Sequence, residues 1–125
     1  MTLIERIYQE INSYKNLKDG WDGDDSFGPS DRTINNAINF VNSLENLLEL
    51  IDEDYIYPTG DGTIVIDFQN ENGDLASLEF GPISIGYFFQ TEGHISTVDS
   101  YKPLDNEYLS PKLKSIIQKI YEPNL

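Results

Sequence analysis

The sequence predicts an α+β domain: two N-terminal helices, an antiparallel β-meander of four to five strands, and a short C-terminal helix. Three observations carry this reading. Apolar residues recur at spacings of three and four over the first half of the chain, then alternate at two beyond Asp54, and Gly, Asn and Pro separate the alternating runs. The 125 residues suit one hydrophobic core, so residues 1–125 are read as a single domain.

Ile4, Ile7, Ile11 and Tyr14 fall on one helical face, which predicts a helix over 2–16. The second helix is punctuated by Pro29 and by Ser30 as N-cap, with Asp31 at the positive end of the helix dipole. Ile34, Ala37, Ile38, Val41, Leu44 and Leu48 then form one stripe, which predicts a helix over 31–50. Asn35, Asn39, Asn42 and Asn46 occupy its solvated side.

Alternation predicts strands over 64–68, 75–80, 83–90 and 95–101, with a fifth over 55–57 if that segment pairs. Asn72-Gly73 and Glu92-Gly93 mark hairpin turns, Gly81-Pro82 marks a tight corner, and Pro58 confines its segment to an edge or a loop. Ser110 as N-cap and Pro111 at the first helical position open the final helix, with Leu113, Ile116, Ile117 and Ile120 on its apolar face.

The formal charge is −14, and its distribution matters more than its sum. From Thr33 to Tyr101 there is no lysine or arginine, whereas Glu45, Glu49, Asp52, Glu53, Asp54 and seven further carboxylates lie there. Such a surface repels phosphate backbones and attracts a basic protein, so nucleic acid is excluded as a partner. With no cysteine, a disulfide framework, a thiolate zinc site and a cysteine nucleophile are all excluded. No run approaches the ~18 apolar residues of a membrane span, so a cytoplasmic protein without membrane contact is expected.

The loop Leu17-Lys18-Asp19-Gly20-Trp21-Asp22-Gly23-Asp24-Asp25-Ser26-Phe27-Gly28 suggests a calcium site, because calcium accepts several carboxylates in flexible geometry. The spacing fails the test: Phe27 stands where the calcium loop requires glycine, and Thr33 where it requires a bidentate glutamate. The loop is therefore read as a structural clasp and no metal is assigned. Gly20 and Gly23 turn the chain around Trp21, whose ring fills the gap between the first helix and the sheet while Asp22 caps nearby amides.

Gly20-Trp21-Asp22-Gly23, followed by Pro29-Ser30 and an amphipathic helix and then by Pro58-Thr59-Gly60-Asp61-Gly62, resembles a group of small bacterial and phage proteins. In that group a GWDGYGA…P-S loop precedes the helix and a P-T-x-D-G stretch precedes a β-meander. The resemblance spans roughly residues 14 to 90, and departs where Asp24-Asp25-Ser26 replaces Tyr-Gly-Ala. It implies this architecture and a bacterial or phage origin, and no activity.

His94 is the single histidine, follows a turn glycine and has no serine elbow to serve, so it is read as a turn residue. In Gly86-Tyr87-Phe88-Phe89, alternation sends Tyr87 and Phe89 to one side of the sheet and Phe88 to the other. Whichever side the helices leave open, together with Tyr101, would form an interface.

These residues point to a non-enzymatic acidic binding protein that neutralises a protein partner with a basic surface, such as an immunity protein, an antitoxin or a phage anti-defence inhibitor. Glu49, Glu53, Asp54, Tyr87, Phe88, Phe89 and Tyr101 are its expected contacts, with no cofactor, and a homo-oligomer is left open. The alternative is a sponge for a signalling nucleotide, using Trp21 with Arg32, Lys112 and Lys114. An enzyme working through carboxylates alone ranks third.

Overall fold

The computed structural model describes residues 1–91 and 94–103, the latter by backbone, together with positions 114, 115, 117, 118 and 120. Two helices, α1 (Leu3–Ser13) and α2 (Asp31–Ser43), precede five strands: β1 (Ile56–Pro58), β2 (Ile64–Gln69), β3 (Leu75–Phe80), β4 (Ser84–Thr91) and β5 (His94–Pro103). The strands pair antiparallel in chain order, so the α+β meander expected from the sequence is the architecture, with 55–57 supplying the fifth strand almost as read. Among the described residues, no helix is long and apolar enough to cross a membrane.

Helix α1 opens on a capping box: the Thr2 hydroxyl accepts from the Glu5 N–H at 3.2 Å, and the Glu5 carboxylate accepts from the Thr2 N–H at 3.2 Å. It ends earlier than the periodicity suggests, because Tyr14–Asn16 tighten into a 3₁₀ turn. Ser30 caps α2 as expected, accepting from the Thr33 N–H at 3.2 Å. The α-helix stops at Ser43, and Glu45–Leu50 form a 3₁₀ helix instead. Leu44, Leu47 and Leu50 recur at three, the 3₁₀ period, and Leu44 and Leu47 are buried.

Both helices contribute to a core against one face of the sheet. Ile7, Ile11, Ile34, Ala37, Phe40 and Val41 meet Ile64, Ile66, Phe68, Leu78, Phe80 and Ile85, with the Phe40 and Phe80 ring centroids 5.3 Å apart. Each such side chain contributes about 1.5–3 kcal/mol through the water-exposed area it removes. Ile117 and Ile120 are buried in the same core, and Asn70 Nδ2 donates to the Ile120 carbonyl at 2.7 Å. The start of the expected C-terminal helix, Ser110 to Leu113, lies outside the described residues.

The β2–β3 turn is longer than the two-residue Asn-Gly hairpin that its sequence suggests. Asn70 organises it, its side-chain oxygen accepting from the N–H groups of Asn72 and Asp74 at 2.9 Å each, and Gly73 takes φ 85°. At the other end of the sheet, Gly81 N–H donates to the Ser84 carbonyl at 2.9 Å, and Asn36 of α2 donates to the carbonyls of Gly81 and Pro82 at 3.0 Å each. One member of the amide-rich helix thus pins the Gly81-Pro82 corner.

Strand β1 forms one edge of the sheet, and that edge is closed to further pairing. The Ile56 N–H donates to the Glu53 carbonyl, the Ile56 carbonyl accepts from the Tyr14 hydroxyl at 3.2 Å, and Pro58 has no N–H to offer.

Candidate functional site

The segment between α2 and β1 is held down by its apolar residues and presents its charges outward. Leu44, Leu47 and Ile51 are buried, whereas Glu49, Asp52 and Asp54 are exposed and Glu53 is half-buried. Asp52 caps the next turn, its Oδ1 accepting from the Asp54 N–H at 2.9 Å. The result is an open groove of about 690 Å³ whose lining includes Glu49, Asp52, Glu53, Asp54 and the ring of Tyr55.

One cation reaches this groove among the described residues: Arg6 Nε donates to Glu53 Oε1 at 2.7 Å, and its Nη1 donates to the Met1 carbonyl at 3.0 Å. Three further carboxylates of the lining have no such partner among the described residues. The three acidic contacts expected from the sequence, Glu49, Glu53 and Asp54, are therefore brought together, and Asp52 and Tyr55 join them.

The aromatic contacts expected from the sheet are distributed differently. Tyr87 is only 6 % exposed and faces the helices opposite Leu78, and Phe89 packs against the same core, so both serve packing and are withdrawn as surface contacts. Phe88 lies on the second face opposite Ser77 and is half-buried. That face is itself largely closed, with Val65 at 5 % and Ser77 at 8 % exposure. Tyr101 is placed on β5 by its backbone alone.

The second face carries a polar cluster at its β1 margin. Tyr57 donates from its hydroxyl to Asp67 Oδ2 at 3.3 Å, and Thr63 donates to Glu79 Oε2 at 2.6 Å. Burial pushes the Asp67 carboxyl above the usual carboxylate range, opposed by the hydroxyls of Ser77 and Tyr57. Burial also pushes up the Tyr57 phenol, reinforced by the charges of Asp67 and Glu79. Among the described residues, the hydrogen bonds of Asp67 reach the hydroxyls of Ser77 and Tyr57.

The glycine- and aspartate-rich loop is a clasp, although its hydrogen bonds differ in detail from the expected ones. Gly20 and Gly23 take φ 87° and 113°, the left-handed turns anticipated around Trp21. The Trp21 ring does not fill the gap between the first helix and the sheet as expected: it is half-buried and outside the core, and its contribution is directional, the indole Nε1 donating to the Phe27 carbonyl at 2.8 Å. Asp19, in place of Asp22, supports the loop backbone by accepting from the Gly28 N–H at 3.3 Å, and Ser26 Oγ accepts from the Asp22 N–H at 2.9 Å.

The loop docks on the β1–β2 turn, Phe27 N–H donating to the Gly60 carbonyl at 2.8 Å. A shallow cleft of about 360 Å³ lies beside it, lined by Asp22, Gly23, Asp24, Asp25, Ser26, Gly60 and Asp61. Among the described residues this lining holds carboxylates and no cation, which disfavours phosphate there. Arg32 is exposed in the first turn of α2, Lys114 is half-buried and Lys112 lies outside the described residues. No group of three potential ligand side chains suited to a metal ion forms among the described residues.

Three exposed aromatics were not singled out by the sequence reading: Phe27 at 56 %, Tyr55 at 39 % and Tyr57 at 42 % exposure. Phe27 had a readable signal, being an apolar residue in a polar turn-rich loop with no periodic partner. No protein-family model, curated protein or solved structure matches the chain.

Proposed function

We propose that this chain is an acidic, non-catalytic binding protein that neutralises a protein partner with a basic surface, in the manner of an immunity protein, an antitoxin or a phage anti-defence inhibitor. The observation that supports this most is the groove between α2 and β1, where Glu49, Asp52, Glu53 and Asp54 converge beside Tyr55 and, among the described residues, Arg6 alone compensates. Carboxylates so placed speed encounter with a cationic surface and reject anionic competitors, while the area around them occludes the partner.

Resemblance of the Gly20-Trp21-Asp22-Gly23 loop and its following elements to small bacterial and phage proteins fits a setting in which such inhibitors act. The nucleotide-sponge alternative gains no support from the clasp loop, because the Trp21 N–H is committed to Phe27 and the adjoining cleft is lined by carboxylates. The test is a variant with Glu49→Gln, Asp52→Asn and Asp54→Asn, all at exposed positions. Its association with a basic partner should slow by about tenfold or more at low salt and converge on the parent rate at high salt. Equal rates at low salt would remove the proposal's basis.

A further inference from the structure

Three of the large apolar side chains that the fold leaves exposed lie along the β1 edge of the sheet. Tyr55 immediately precedes β1 and lines the acidic groove, Tyr57 sits at the centre of β1, and Phe27 is bridged to Asp61 in the turn that follows. At about 3.3 Å per residue β1 itself covers on the order of 10 Å, with the 3₁₀ turn that carries Tyr55 at one end and the turn docked against Phe27 at the other. Carboxylates stand at both ends: Asp52 and Asp54 beside Tyr55, and Asp22, Asp25 and Asp61 around the clasp.

From this arrangement we infer that the β1 edge is the docking surface for a basic polypeptide, with Phe27, Tyr55 and Tyr57 as its apolar contacts. The inference rests on the binding reading above and specifies where the partner sits. Charge complementarity selects the occupant. A second copy of this chain brings the same carboxylates and a net charge of −14, so it is repelled from an edge that a lysine- or arginine-rich surface would neutralise.

Contact is through side chains. An added β-strand has nothing to pair with, since both backbone groups of Ile56 are taken and Pro58 lacks a donor. The backbone on which Phe27 stands is ordered in advance by bonds of 2.8 Å on both its N–H and its carbonyl, so docking immobilises little more than a ring. Aromatic side chains of this kind dominate the energetics of protein interfaces.

Trp21 provides the readout, because its indole is bonded to the Phe27 carbonyl and it is the chain's single tryptophan. The experiment titrates the protein with an alternating Lys-Leu peptide and with oligolysine of equal charge, following Trp21 fluorescence and heat. The Lys-Leu peptide is expected to bind more tightly than oligolysine and to shift Trp21 emission. A double variant, Phe27→Ala with Tyr55→Ala, both at exposed positions, is expected to weaken that peptide about tenfold while its melting temperature stays near the parent value. Equal binding of both peptides by parent and variant overturns the docking surface and leaves the basic-partner reading intact; failure of both peptides to bind overturns both.

Discussion

The indole N–H of Trp21 donates to the carbonyl of Phe27 at 2.8 Å, closing the loop between α1 and α2 on itself. The same Phe27 joins that loop to the β1–β2 turn through Gly60. One residue therefore connects the clasp to the sheet, and its ring is left in solvent. Trp21→Phe keeps an aromatic ring and removes the donor, so it is expected to cost about 1 kcal/mol, read as a lower urea midpoint with an unchanged slope.

Gly28 is required for a different reason. A Cβ at this position would stand 1.9 Å from the Leu17 carbonyl oxygen and 2.8 Å from its carbon, both backbone atoms. Gly28→Ala must force the two ends of the clasp apart, and a loss of about 2 kcal/mol or more is expected in thermal unfolding. A neutral substitution would show that Leu17 and Gly28 do not approach in solution.

Asp67 predicts a pH dependence whose sign is set by burial. Its folded carboxyl is pushed above its ordinary value of 3.8, so the folded state holds this proton more readily than the unfolded chain. Its contribution is therefore most favourable at acid pH and is lost as pH rises from that value through the raised folded value. Asp67→Asn should gain stability relative to the parent across that window and hold a constant difference above it, measured by denaturant titration at a series of pH values.

Tyr14 acts at the alkaline end. Its hydroxyl lies 2.9 Å from Glu10 Oε1 and 3.2 Å from the Ile56 carbonyl, and burial, aided by Glu10, pushes its ionisation well above 10.0. The folded state resists losing this proton, so stability is full below pH 10.0 and falls above it. Tyr14→Phe should be about 1 kcal/mol less stable at neutral pH and should lose less stability on going alkaline.

The Arg6–Glu53 pair offers a test that separates binding from stability. Both side chains are substantially exposed, at 46 % and 37 %, so Arg6→Ala should cost less than about 1 kcal/mol. It also removes the cation that compensates Glu53 in the groove. Association with a basic partner should accelerate, by an amount that shrinks with added salt.

Much of the fold was legible because its signals are local. Ser30 caps α2 and Pro58 ends an edge strand, as their chemistry dictates, and Tyr87 and Phe89 share one side of the sheet as alternation requires. Which side the helices cover is a tertiary fact, and for that reason Tyr87 was expected on an interface and is found in the core. The early end of α2 was readable in the three-residue spacing of Leu44, Leu47 and Leu50, which Leu48 disguised as a continuing helical stripe. Of the candidate site, charge was visible in the sequence, and the gathering of Glu49, Glu53 and Asp54 followed from their proximity along the chain. The exposed edge formed by Phe27, Tyr55 and Tyr57 was not, because it depends on the clasp docking against Gly60, a contact between residues far apart in sequence.

The most direct test of the binding account is native mass spectrometry of the protein taken gently from its own host cells, recorded after washing at low and at high salt. The account predicts a basic protein bound at defined stoichiometry at low salt and released at high salt. A bound anionic small molecule with no protein partner, or a partner retained regardless of salt, would contradict it.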